Sequence, residues 1–154
     1  MTTAALGVGA FTFAPHSDPA HAKPESRGKK KVEWIAVKKV HTQPQHPRVG
    51  DNWTMYFDLH QSRNGKPGRT VGDGSAQCSA VQVTPQGAIA QCQYVLRNDR
   101  GTLALTSLMD RFGQGTHTAG APVHGGTRAY AEAEGDAVVS MNHERIAFRV
   151  RLDD

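Results

Sequence analysis

The chain has 154 residues, which suits one domain with its own core. Its 18 Lys and Arg against 14 Asp and Glu give a formal charge of +4. That excess is concentrated in Lys29, Lys30, Lys31, Lys38 and Lys39 rather than interleaved with aromatics over a face, which argues against a nucleic-acid partner.

Residues 1–31 read as a leader and basic linker, and residues 32–154 as a single β-domain. Ala4–Ala14 is an apolar run too short to span a bilayer. Ala20-His21-Ala22 then supplies a small-x-small site, the outline of a secretory signal, although Met1-Thr2-Thr3 lacks the usual basic start. Secretion or attachment to the cell envelope is expected, with a cytoplasmic protein carrying a disordered leader as the alternative. The KPESRGKKK linker is expected to be solvated.

Beyond residue 31 short alternating runs are separated by turn signals, the pattern of an all-β barrel or sandwich. Strands are expected at Val32–Val40 and Asp51–His60, the second with Trp53, Met55, Phe57 and Leu59 on one face. Asn64-Gly65 centres a turn. Arg69–Thr84 follows, then a turn at Thr84–Gly87, then Ala88–Arg97. Thr102–Asp110 places Leu103, Leu105, Ser107 and Met109 on one face. His117–Val123 is weak as a strand because it carries Gly120 and Pro122, while Gly135–Met141 and Glu144–Leu152 complete eight. Eight antiparallel strands can close into an up-and-down barrel, which leaves no exposed edge.

Cys78 and Cys92 check this register. Positions paired in an antiparallel hairpin share a constant sum, and these two centre on Pro85, inside the turn between strands three and four. They are therefore expected opposite one another or nearly so, at a separation a disulfide can span. An oxidising compartment would favour the bridge, and two buried thiols are the alternative.

Taken in order, Gly50-Asp51, an aromatic strand ending in Leu59, Val71-Gly72, Cys78, Cys92, an Asn-x-x-Gly turn and HGGTRAY ending at Gly135 resemble the allene oxide cyclase barrel family. That family includes the plant dirigent proteins and many small actinobacterial proteins. The resemblance spans roughly residues 32–152 and implies a calycin-like, eight-stranded antiparallel β-barrel with an apolar lumen. It further implies a protein that needs no cofactor, holds a reactive intermediate and steers its ring closure or coupling. A homodimer or homotrimer is implied by the same analogy.

Several positions depart from the family. Plant cyclases use a carboxylate from the first strand, whereas here Glu33 sits near the start of that strand and its end is basic. The water-holding asparagine of the plant lumen falls near Phe57, and the family's GGTG becomes Gly125-Gly126-Thr127-Arg128. Cys78 matches a lumen cysteine, but a bridge to Cys92 would remove its thiol. Allene oxide cyclisation itself is thereby set aside. The expected function is stereoselective cyclisation of another small apolar metabolite, of polyketide type. The alternative is a secreted or envelope-associated barrel that binds without chemistry.

The family's inward faces make Trp53, Met55, Phe57, Leu59, Leu105 and Met109 the expected ligand-binding set, with a filled core as the alternative. Tyr94 is the first catalytic candidate, as a hydrogen-bond donor to a substrate carbonyl, or else a core tyrosine bonded to backbone. Asp110 is the second, a proton donor beside Arg111 where strand five reaches a barrel mouth, or else a solvated strand end. Arg128 is either an anchor for an acidic ligand or a rim residue. No metal is expected, because His41, His46, His60, His117, His124 and His143 form no pair at ligand spacing. Gly125, Gly126 and Gly135 read as barrel bends rather than a phosphate loop, with Ala131–Glu134 alternating in an extended segment.

Overall fold

A computed structural model describes residues 28–153, so the signal-like run and most of the linker lie outside the described residues. Eight strands close one antiparallel barrel in sequence order: β1 (Lys29–His41), β2 (Asn52–Arg63), β3 (Lys66–Thr84), β4 (Gly87–Asn98), β5 (Gly101–Phe112), β6 (His117–Gly126), β7 (Gly135–Met141) and β8 (Arg145–Asp153). Pairing of β1 with β8 completes the ring and removes the free edges that a sandwich would leave.

The strands run past their expected ends because barrel neighbours keep pairing them. β1 begins at Lys29 rather than Val32, since Lys29, Lys30 and Lys31 stand opposite Asp153, Leu152 and Arg151. Part of the basic linker is therefore wall. β6 is a full strand despite Gly120 and Pro122, held to β7 from His117–Met141 to Pro122–Asp136. Ala131–Glu134 is not extended. A short 3-10 turn at Arg128–Tyr130 precedes it, and the segment crosses the barrel end as a turn.

Inward residues stack in rows across β2 to β5. Trp53, Cys78, Cys92 and Ser107 share one row. Met55, Ala76, Tyr94 and Leu105 form the next, and Phe57, Gly74, Leu96 and Leu103 the one beyond. On the opposite wall Val139, Met141, Ile146, Phe148 and Val150 are buried. Phe148 meets Tyr94 edge-on at 5.4 Å and Phe57 at 5.9 Å between ring centroids, so aromatic side chains occupy the middle of the lumen. Edge-on aromatic pairs contribute about 0.5–1.5 kcal/mol beyond their buried area.

Cys78 and Cys92 form a disulfide, with Cα atoms 4.1 Å apart at directly opposed positions of β3 and β4. The glycines near the barrel end act as expected from crowding. A Cβ on Gly126 would run into the Thr102 carbonyl, and one on Gly135 into that of Arg151. Gly125 instead takes a positive φ of 88°, where a Cβ would make only ordinary contact with the Ala131 and Ala133 carbonyls.

Candidate functional site at the barrel mouth

The two barrel ends differ. At one, the 3-10 turn lays Tyr130 over the opening, 3% exposed. Asn98 Nδ2 donates to the Tyr130 hydroxyl at 3.0 Å, and the Arg100 guanidinium lies 5.8 Å from the ring centroid. These contacts pin Tyr130 as a plug.

At the other end the strands finish in loops, and the inward rows turn from apolar to cationic. Continuing the row pattern beyond Ser107 gives Met109 opposite Ala90, then Arg111 opposite Ala88. Ala80 pairs with Ala90, so three small buried residues stand on the wall beside Arg111. A bulge in β1 resets the alternation here. Lys38 stands opposite the inward Phe57, and after the shift His41 stands opposite the inward Met55. Both side chains are thus directed to the mouth by a strand that would otherwise have turned one of them away.

An open cleft of about 780 Å³ lies over this end, lined among others by His41, Gln43, Arg111, His117, His143 and Glu144. The Lys38 ammonium donates to the Asn142 carbonyl at 2.7 Å, tying β1 to the β7–β8 turn. His117 Nε2 donates to the Phe112 carbonyl at 2.9 Å, which fixes the start of β6 to the end of β5. Between those strands the register runs through Leu103–Gly126 and Leu105–Val123, away from the mouth.

Arg111 carries the strongest signal. Its Nε and Nη1 are buried and find no protein acceptor, and the same holds for the Trp53 indole Nε1. The ion pairs of the described residues, Lys29–Asp153, Lys39–Asp58, Arg97–Asp73 and Arg151–Asp136, all lie elsewhere. Burial lowers the Arg111 pKa, with the Tyr94 phenol opposing that shift. A guanidinium starts so high that it stays charged. Burial first, and the Arg111 charge second, hold the Lys38 amine down at about 8. Burial and then Lys38 lower His41, whose hydrogen bond to Gln43 opposes them.

Tyr94 sits below this cationic layer. Its hydroxyl pairs with the Ser107 hydroxyl at 3.2 Å rather than with backbone, a second hydrogen-bonding group inside the lumen. Burial pushes the Tyr94 phenol up, with the Ser107 contact and the Arg111 charge pulling against it.

Of the residues expected from sequence, Trp53, Met55, Phe57, Leu59, Tyr94, Leu105 and Met109 come together as buried lumen side chains. Asp110 does not join them: it is exposed on the outer face of β5, between inward Met109 and Arg111. Arg128 lies at the plugged end, exposed, with φ 54°, beside a cleft of about 470 Å³ shared with Lys30, Arg100 and Tyr130. Lys38, His41 and the inward direction of Arg111 were not identified from sequence. For Arg111 the signal was available, since two residues beyond Met109 is the same face. For His41 it was not, because a bulge leaves no mark in the alternation. Among the described residues no three His, Cys, Asp or Glu gather as a metal group, and no helix is long and apolar enough to cross a membrane.

Comparison with known proteins shows the fold. No family model matches the chain, and no curated protein matches it significantly. Solved structures do match. One named pyocyanin demethylase shares 22% identity at a TM-score of 0.59, over 79% of this chain and 99% of that one. The chain is therefore similar in architecture to a small barrel protein whose whole length it covers.

Proposed function

We propose that this barrel takes up a small, largely apolar metabolite at its open mouth. The ligand rests on Trp53 and Met109 and presents an acceptor to Arg111. The observation that carries this reading is Arg111, which lines the open cleft and whose buried Nε and Nη1 have no protein acceptor; Trp53 Nε1, deeper in the barrel, is likewise unmatched. A buried donor left unmatched costs about 1–3 kcal/mol, and a ligand oxygen would recover that cost. The solved neighbour's name describes chemistry on a small molecule by that protein, which is compatible with this use of the architecture.

Intramolecular ring closure is the reaction such a receptacle would steer. Its support is the sequence resemblance to allene oxide cyclases together with the Tyr94–Ser107 hydroxyl pair below the mouth. Holding a flexible chain in a near-attack shape is worth at most about 7–11 kcal/mol. A second reading, capture without chemistry outside the cytoplasm, is favoured by the Cys78–Cys92 disulfide. Changed rate or stereochemistry of a linear polyketide's cyclisation, relative to buffer, would select the first.

Uptake itself is tested with the neutral fluorophore N-phenyl-1-naphthylamine and a Trp34→Phe variant, which keeps Trp53 as sole tryptophan. Saturable energy transfer from Trp53 to the probe is expected. Probe binding without transfer, or no binding, would overturn the placement at the mouth.

A further inference from the structure

We infer that the ligand of this mouth is an organic anion, an apolar body bearing one carboxylate or comparable oxyanion, and that Arg111 is its charge-selecting residue. The inference rests on the uptake proposed above and adds the charge class of what is taken up.

The wall around the site is one-signed. Arg111 projects inward from β5, Lys38 from β1 is directed to the same end, and both lack a carboxylate partner among the described ion pairs. His41, His117 and His143 line the cleft above them. Glu144 is the one acid among the cleft-lining residues, and it is exposed on the β7–β8 turn. Asp110, the nearest acid along β5, faces out. Two cations held close without a counter-ion repel one another, a cost that an anion placed between them removes.

The residues around Arg111 bear on the body that the anion would carry. Nε and Nη1 direct their N–H groups to different sides of the planar guanidinium, unlike the Nε–Nη2 fork with which Arg97 holds Asp73, so an anion oxygen there meets one N–H at a time. Ala80, Ala88 and Ala90, all buried, are the small inward neighbours of Arg111 and Met109 on this wall. Trp53 and Met109 form an apolar floor, both at or below 1% exposure. A head group at Arg111 therefore places the body against Trp53, where the indole Nε1 remains free for a further acceptor. A small inorganic anion would satisfy the charge but leave those apolar residues unused.

A matched pair of probes separates charge from apolar fit: 1-anilinonaphthalene-8-sulfonate and its uncharged parent, N-phenyl-1-naphthylamine. Wild-type protein should bind the sulfonate at least about tenfold more tightly, the range for hydrogen bonds between charged groups. Arg111→Gln should abolish that preference by weakening the sulfonate far more than the neutral parent, and Arg111→Lys should keep part of it. Circular dichroism of each variant confirms that the barrel is intact. Equal affinity of the two probes in wild type, or a preference that survives Arg111→Gln, overturns the anion assignment and leaves uptake standing. Binding of neither probe overturns both.

Discussion

Replacing Arg111 by Met should stabilise the empty protein. Two of its nitrogens are buried without a protein acceptor, inside a wall of Ala88 and Met109. An unmatched buried donor costs about 1–3 kcal/mol, and more when charged, and solvent reaching the cleft recovers part of it. Methionine keeps the aliphatic stem and drops the charge. The variant also relieves Lys38, whose amine the Arg111 charge helps to depress. A net gain of about 1–3 kcal/mol follows, which for a domain of this size is roughly 4–12 °C in Tm. Urea unfolding followed by tryptophan emission measures it, with the m-value checked for constancy. The same variant should lose the sulfonate probe, the usual exchange of stability against a binding site. A variant less stable than wild type would mean that Arg111 is satisfied in the free protein, and the mouth would then lack its unmatched donors.

Other consequences are open to direct measurement. Cys78→Ala with Cys92→Ala should cost about 3 kcal/mol, the loop-entropy value for a closed loop of about 15 residues, read as a lower urea midpoint. Lys38 has a folded pKa of about 8 against 10.5 when free, so its charged form penalises the fold at neutral pH. That penalty fades as pH rises from about 8 to 10.5, because the unfolded chain then holds the extra proton. Lys38→Met should be more stable than wild type at pH 7 by about 1 kcal/mol, after discounting the solvated part of the side chain, and the difference should shrink towards pH 10.5. Arg128 takes a φ of 54°, where side chains are strained, so Arg128→Gly should add about 0.5–1 kcal/mol to stability and leave probe binding unchanged.

The barrel was legible because period-two alternation and turn residues are local and repeated. The Cys78–Cys92 pairing agrees with the same arithmetic, although the turn itself pairs Thr84 with Gly87 and a bulge between Ala80 and Gln82 shifts the register to the one that opposes the cysteines. Gly126 and Gly135 were readable as relief of crowding for a similar reason: closure brings carbonyls of neighbouring strands onto their Cα atoms. Arg128 was legible as a departure from a glycine position, and its left-handed backbone explains why glycine would suit there.

The mouth was less legible, because it is assembled from distant strand ends. Asp110 and Arg111 are neighbours in sequence, yet the strand sends one out and the other in, and only the face of Met109 decides which. Lys38 and His41 share the interior side through a bulge whose position depends on pairing with β2. Tyr130 reads as one residue of an alternating stretch, whereas the chain folds it over the opposite end as a plug. In each case the deciding information is a contact between strands that are not adjacent in sequence.

The indole Nε1–H signals of Trp34 and Trp53, followed in a 15N-labelled sample during titration with 1-anilinonaphthalene-8-sulfonate, report on the two ends of the lumen. Trp34 borders the cleft beside Tyr130 at the plugged end, and Trp53 lies in the row below the mouth. Saturable movement of the Trp53 signal with Trp34 unmoved is the predicted result. Movement of Trp34 alone, or of neither signal under conditions where the probe binds, would place the ligand elsewhere and contradict a binding mouth at Arg111.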